Sequence, residues 1–297
     1  MTADAVTAAP RLYRLGDILE AFDSFADRLE RARNAGYPMG PVTGFELIDR
    51  ELCGHLQPGL HILKGNTGAG KSAFALQVAA ECQYPALFVS CEMSALELLR
   101  RHTARVNEVS LSRFKDPSHA NPLSADEMKR LARTAAEQAP ALLIVDATQA
   151  WAHPDYIAEQ AELLREDREG EGVLIVIDSL HSWARGIEGR EEYARLELAI
   201  DTLQRVANRV AAPVLAVSEQ TKEGNRQGAT SGALASAGHR VIGYGAETVI
   251  GLYAEDEELD AYGERLVTLK LDKNRNGAAG RSVKLKFHGG YMRFREA

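Results

Sequence analysis

Two periods of apolar and polar positions alternate along most of this chain. Short apolar runs at residues 60–64, 86–90, 141–145, 173–177 and 214–217 predict strands. Between them, apolar positions recur at helical spacing over 73–80, 124–138, 155–168 and 191–210. Ser94 with Glu97, and Ser124 with Glu127, have the spacing of capping boxes, so a helix is expected to begin after each serine. The last third turns to strand pairs at 247–253, 265–272, 282–287 and 291–294, with Asn276-Gly277 and Gly289-Gly290 as turns. Alternating strands and helices predict an α/β fold, a mostly parallel sheet covered on both faces. The C-terminal hairpins add antiparallel strands.

The start of the chain reads differently. Residues 1–10 are Ala-rich and expected to be disordered. Over 15–33, Ile18, Leu19, Phe22, Phe25 and Leu29 lie at helical spacing between charges, which predicts an amphipathic helix. Gly36-Tyr37-Pro38-Met39-Gly40-Pro41 breaks the pattern. The expected organisation is therefore residues 1–42 as a leading segment with a linker helix, and 43–297 as the main domain.

The most specific chemistry lies between the first main-domain strand and the helix after it. Gly65-Asn66-Thr67-Gly68-Ala69-Gly70-Lys71-Ser72 fits the phosphate-loop pattern G-x-x-x-x-G-K-[ST] at every fixed position. Successive N–H groups of such a loop wrap phosphates, with a helix N-terminus behind them. Lys71 is expected to reach the β- and γ-phosphates, and the Ser72 hydroxyl to ligate Mg2+. Bound ATP with Mg2+ is the expectation.

In an open α/β sheet, ligands sit beyond the carboxyl ends of the strands, and three further strand ends carry polar groups. Asp178 ends an apolar strand and is a candidate Mg2+ ligand, or the cap of a turn. Glu92 is a candidate to orient and deprotonate the attacking water, or a charge at a helix N-terminus. Ser218-Glu219-Gln220 offers an amide, Gln220, as a γ-phosphate sensor, or a solvated loop start. The most basic window, 270–286, holds Lys273 and Arg275 at a strand end. Period-two geometry puts this pair on the side of Val267, Leu269 and Leu271, where it can grip phosphate oxygens, in a neighbour's site as an arginine finger.

Composition removes some classes. Of 297 residues, the longest strongly apolar runs are 141–145 and 173–177, far too short for a membrane span. No signal peptide is expected, and the three cysteines without CxxC spacing suit a reducing cytoplasm. The eight histidines lack ligand spacing, so no zinc site is expected. A net charge of −7 excludes a surface coated in positive charge but not a basic lining.

Together these segments resemble the RecA-like ATPase domain of DnaB-type replicative helicases, over roughly Pro41 to Phe294, nearly the whole chain. Thr43-Gly44-Phe45-Glu46-Leu47-Ile48-Asp49 is similar to the family's T-G-F-x-x-L-D entry. The stretch from Leu56 to Ser72 matches its phosphate-loop segment, and Ser90-Cys91-Glu92-Met93-Ser94 resembles its S-L-E-M-S. The strand ending in Asp178 matches its Mg2+ strand, and Lys273-Asn274-Arg275-Asn276-Gly277 resembles its K-x-R-N-G. The resemblance implies Glu92 as catalytic base and Lys273 with Arg275 acting on the adjacent subunit's ATP. It implies a homohexameric ring around single-stranded DNA, moving 5′ to 3′, with the 15–33 helix docked on the next subunit. DNA contacts are then expected from Arg185 and Arg190 after Asp178, and from Lys222, Arg226 and Arg240. The chain departs from the family in three places. Met1 to Gly40 hold no primase-contacting module, His181 stands where the family has Gln, and Ser-Gln becomes Ser218-Glu219-Gln220. Two other readings stay open on the sequence. One is a RecA-like assembly factor that does not unwind, such as a recombination mediator, a KaiC-like switch or a defence or mobile-element component. The other is a monomeric kinase of small molecules.

Overall fold

The structure, a computed structural model, describes residues 12–166, 172–189, 191–219, 245–254 and 259–297. The chain divides into two compact units, Met1–Met39 and Gly40–Ala297. In the first, a 3-10 turn at Leu15–Ile18 leads into α1 (Leu19–Ala35), which ends at Gly36 in the left-handed conformation, φ +73°. Leu19, Phe22, Phe25 and Leu29 are exposed along this helix.

In the second unit, nine strands form one sheet. In chain order they are β1 (Gly59–Gly65), β2 (Ala86–Ser90), β3 (Leu142–Asp146), β4 (Leu174–Asp178), β5 (Pro213–Glu219), β6 (Thr248–Ala254), β7 (Glu264–Asn274), β8 (Ser282–His288) and β9 (Arg293–Glu296). The spatial order is β3-β2-β4-β5-β1-β6-β7-β8-β9. β1 to β6 run parallel, and β7, β8 and β9 add on antiparallel to their neighbours. The α/β expectation therefore holds. The helices are α2 (Glu46–Glu51), α3 (Lys71–Glu81), α4 (Ala95–Asn107), α5 (Ala125–Gln138), α6 (Pro154–Glu166), α7 (Leu180–Ala184) and α8 (Glu192–Val210).

The central strands are apolar throughout because both their faces are covered. On β4, Leu174 and Val176 join a core with Phe74 of α3, while Ile175 and Ile177 join a second core with Trp183 of α7 and Leu203 of α8. Phe88 and Leu87 of β2 divide the same way. Two such cores fix the sheet's register, since a one-residue slip would exchange every side chain between them.

One expectation fails on β7. The β6–β7 register shifts between Val249 and Ile250, so Val249 pairs with Lys273 and Ile250 with Leu271. Asp272 is the extra residue, held by Lys64 at 2.9 Å and by the Tyr253 hydroxyl at 2.9 Å. Beyond this bulge the alternation is inverted. Asn274, not Lys273, stays buried beside the core of Val267, Leu269 and Leu271, and its Nδ2 donates to the Glu51 carbonyl at 2.8 Å. Lys273 crosses to the other face, where Nζ donates to the Ala246 carbonyl at 2.5 Å.

The serine caps differ from each other. Ser124 and Glu127 close a full capping box on α5. Ser94 caps α4 through the Glu97 N–H at 3.3 Å, but the Glu97 carboxylate turns to Arg101 at 3.0 Å and Lys115 at 2.5 Å. Two basic partners outcompete one backbone N–H for that carboxylate.

Candidate active site

The phosphate loop leaves β1 at the carboxyl edge of the sheet and enters α3. Gly68 and Gly70 take positive φ, +83° and +91°, which L side chains avoid. Gly65 serves a different need, since a Cβ there would lie 2.4 Å from the Leu252 carbonyl oxygen. The free N–H groups of the first turn of α3 therefore open onto the loop. Lys71 is buried, and its Nζ donates to the loop's own carbonyls, Gly65 at 2.9 Å and Asn66 at 3.0 Å. Burial lowers its pKa, partly offset by the charges of Glu219, Asp178 and Glu92.

The register Ser90↔Asp178 between β2 and β4 brings the second and third strand ends alongside. The Ser72 hydroxyl donates to Asp178 Oδ1 at 3.1 Å. Asp178 is 2 % exposed, and its Oδ2 is buried without a hydrogen-bond partner. Burial first, and then the charge of Glu92, raises its pKa to about 6 against the Ser72 hydrogen bond. A desolvated carboxylate with an orphan oxygen beside a hydroxyl is a donor set that fits a hard divalent cation. Among the described residues no three His, Cys, Asp or Glu side chains gather into an all-protein metal cage. Ser72 and Asp178 could thus supply only part of a coordination shell, the usual arrangement where phosphates supply the rest.

Glu92 follows β2 on a turn held by Ser90, whose Oγ donates to the Met93 carbonyl at 2.6 Å. Its Oε1 accepts from Ser179 Oγ at 2.5 Å and Ser182 Oγ at 2.7 Å. Ser179 also caps the short helix α7. Next to Glu92 in the chain, burial first and then the charges of Asp178 and Glu92 push the Cys91 thiol up to about 12, which disfavours the thiolate.

Loop, Asp178, Glu92 and Glu219 line one cleft of about 440 Å³. Three further lining residues, Arg101, Arg265 and Phe287, were not picked out from the sequence. Arg101 sits on α4 one turn after Glu97, and Arg265 on a strand far along the chain, so no local pattern marks either. Gln220 lies outside the described residues, as do Arg190, Lys222, Arg226 and Arg240. Arg185 is exposed beside a separate small groove between α7 and α8, with His181, Glu192 and Arg195. His181 is partly buried, its Nδ1 has no hydrogen-bond partner, and burial lowers its pKa.

Lys273 and Arg275 do not join the cleft. Arg275 donates to Glu247 Oε1 at 2.8 Å. Thr248 pairs with both His61 and Asn274, which sets the basic pair beside the start of β1, whereas the loop follows its end. The five residues from His61 to Gly65 alone span roughly 13 Å. One chain thus carries its phosphate loop and its basic pair on opposite edges of the sheet.

The DnaB-like helicase C terminal domain family matches residues 40–296. The replicative DNA helicase DnaB of Geobacillus stearothermophilus is 24% identical over 276 residues, 90% of this chain and 59% of that protein. The chain therefore spans about three fifths of that relative's length. Among solved structures, the ATPase domain of G40P superposes with a TM-score of 0.75 at 20% identity, over 96% of this chain and 100% of that one. The structure of a DnaB-like replicative helicase, described with its interactions with primase, gives a TM-score of 0.73 at 19% identity, over 94% and 69%. The fold is the RecA-like P-loop fold.

Proposed function

The chain belongs to the DnaB-like helicase C terminal domain family, and from that premise we propose that it is an ATP-hydrolysing DNA motor whose sites lie between copies of itself. The observation that carries the proposal is the separation within one chain: Arg275 stands at the edge of the sheet away from the Gly65–Ser72 loop. A second copy supplies what the first lacks. In a closed ring each loop meets the next chain's Lys273 and Arg275. The exposed stripe of Leu19, Phe22, Phe25 and Leu29 supports association, because apolar helix faces gain by being covered.

The reaction is ATP + H2O to ADP + phosphate. Lys71 exchanges the Gly65 and Asn66 carbonyls for phosphate oxygens, and the loop N–H groups hold the rest of the chain. Ser72 and Asp178 would hold Mg2+, whose charge would offset that of the phosphates. Ser179 and Ser182 fix Glu92 through Oε1, leaving Oε2 to accept the proton of the attacking water. Single-stranded DNA is the substrate track, with Arg185 as one contact to its phosphates.

Asp178 gives this reading a pH signature. A cation binds only the ionised carboxylate. Below about pH 6, the Mg2+-dependent gain in nucleotide affinity is expected to rise about tenfold per pH unit, then level off. Asp178→Asn removes that slope and leaves only the nucleotide's own titration, as nucleotide titrations with and without Mg2+ would record. In the free protein the sign is opposite. The raised pKa stabilises the protonated fold fully below the ordinary value of 3.8, and this contribution is lost as pH rises through about 6.

The functional test is ATP hydrolysis with and without single-stranded DNA, followed by a forked duplex. The expected results are stimulation by DNA, lost steeply with added salt, and strand separation that needs ATP. Stimulation without strand separation would make the chain a DNA-dependent assembly factor instead. Hydrolysis indifferent to DNA would remove the motor reading.

A further inference from the structure

Arg265 has no part in the mechanism above, yet it stands at the phosphate loop. It sits near the start of β7, and its Nη2 donates to the Gly68 carbonyl oxygen. Its guanidinium carbon lies 5.2 Å from the centre of the Phe287 ring. Nε is buried and has no hydrogen-bond partner. Burial lowers its pKa, and no carboxylate among the described residues offsets the effect. Two other arginines of this unit differ: Arg295 grips Glu264 with two bonds, at 2.7 and 2.6 Å, and Arg105 is paired with Glu81.

A partly desolvated guanidinium that has only a carbonyl and a ring as partners among the described residues is costly until an anion joins it. Its aim is set by a rigid platform. Phe287 stacks on Phe294 at 4.3 Å between centroids, and both rings pack directly behind Gly70. The open side of the guanidinium faces the cleft that also holds Lys71 and Ser72. The anion that the nucleotide reading brings to that place is a phosphate chain, whose oxygens match the guanidinium fork.

We propose that Arg265 is a further nucleotide-binding residue, which exchanges the Gly68 carbonyl for oxygens of the phosphate chain held in its own subunit's loop. This rests on the reading of the cleft as a nucleoside triphosphate site. It gives β7 two roles at its two ends, roughly 30 Å apart: Arg265 toward its own nucleotide and Arg275 toward a neighbour's.

The test is displacement of a fluorescent, non-hydrolysable ATP analogue from the full chain with Mg2+ by ATP, tripolyphosphate and adenosine. Arg265→Ala should weaken ATP and tripolyphosphate by a similar factor, roughly tenfold or more, and leave adenosine unchanged. Arg265→Lys should recover part of the loss, since it keeps the charge without the fork. If the alanine variant does not fold, Arg265→Gln carries the same comparison. Full ATP affinity in a folded variant overturns the assignment alone. So does an equal loss for adenosine, which would give the guanidinium to the base. Wild-type protein that binds no ATP overturns the nucleotide reading as well.

Discussion

Arg275→Ala is expected to lower ATP turnover on the order of 10³- to 10⁵-fold while leaving nucleotide affinity nearly unchanged. The size of the loss follows from what an arginine finger does, which is to stabilise charge that develops on the transferring phosphoryl group. The retained affinity follows from the geometry of one chain. Arg275 is bonded to Glu247 beside the start of β1, so the variant's own loop, Lys71 and Asp178 are untouched. The turn that presents it is anchored independently: Asn274 Nδ2 reaches the Glu51 carbonyl, and Cys53 Sγ donates to the Asn276 carbonyl at 2.7 Å. Steady-state hydrolysis and equilibrium binding of an ATP analogue, measured on the same preparation, check both halves. A matching loss in binding would mean that Arg275 shapes the fold around β1 instead.

Glu92→Gln should reduce turnover on the order of 10²- to 10⁴-fold, again with binding kept. Glutamine retains the size of the side chain and a carbonyl oxygen for the Ser179 and Ser182 hydroxyls, so the turn after β2 should hold. What it loses is the second carboxylate oxygen that takes the proton. Removing a negative charge near Asp178 should also lower the Asp178 pKa, because Glu92 is one of the groups that raise it. Single-turnover hydrolysis separates the chemical step from product release. A loss smaller than tenfold would return Glu92 to the simpler role of a charge at the start of α4.

The parts of this site that were legible in the sequence are those with local causes. The loop declares itself through glycines that need positive φ or close approach, and β4 through a run of apolar residues closed by Asp178. Glu92 was legible because a strand end followed by a serine cap fixes where the chain turns. Other features depend on contacts far apart in sequence. The β7 bulge comes from Asp272 meeting Lys64 and Tyr253, so period-two counting put Lys273 on the wrong face. Arg265 reaches Gly68 only because β6 pairs parallel with β1 and β7 antiparallel with β6. The six residues of α2 are too few to show a period, and the Thr43–Asp49 hydrogen bonds that brace its start, at 2.7 and 2.8 Å, read only as a motif. The serines that hold Glu92 belong to a strand-to-helix turn whose partner is nearly 90 positions earlier.

The claim that the working site is shared between two copies is tested most directly by mixing two inactive variants. Lys71→Ala has no functional loop but an intact Arg275, and Arg275→Ala has the reverse. Each alone should be inactive. Combined in varying ratios with ATP, Mg2+ and single-stranded DNA, they should recover a substantial part of wild-type hydrolysis, with a maximum at intermediate ratios, because some interfaces then pair a sound loop with a sound finger. Hydrolysis that stays at the level of the separate variants at every ratio, although the two chains co-assemble, would contradict a shared site.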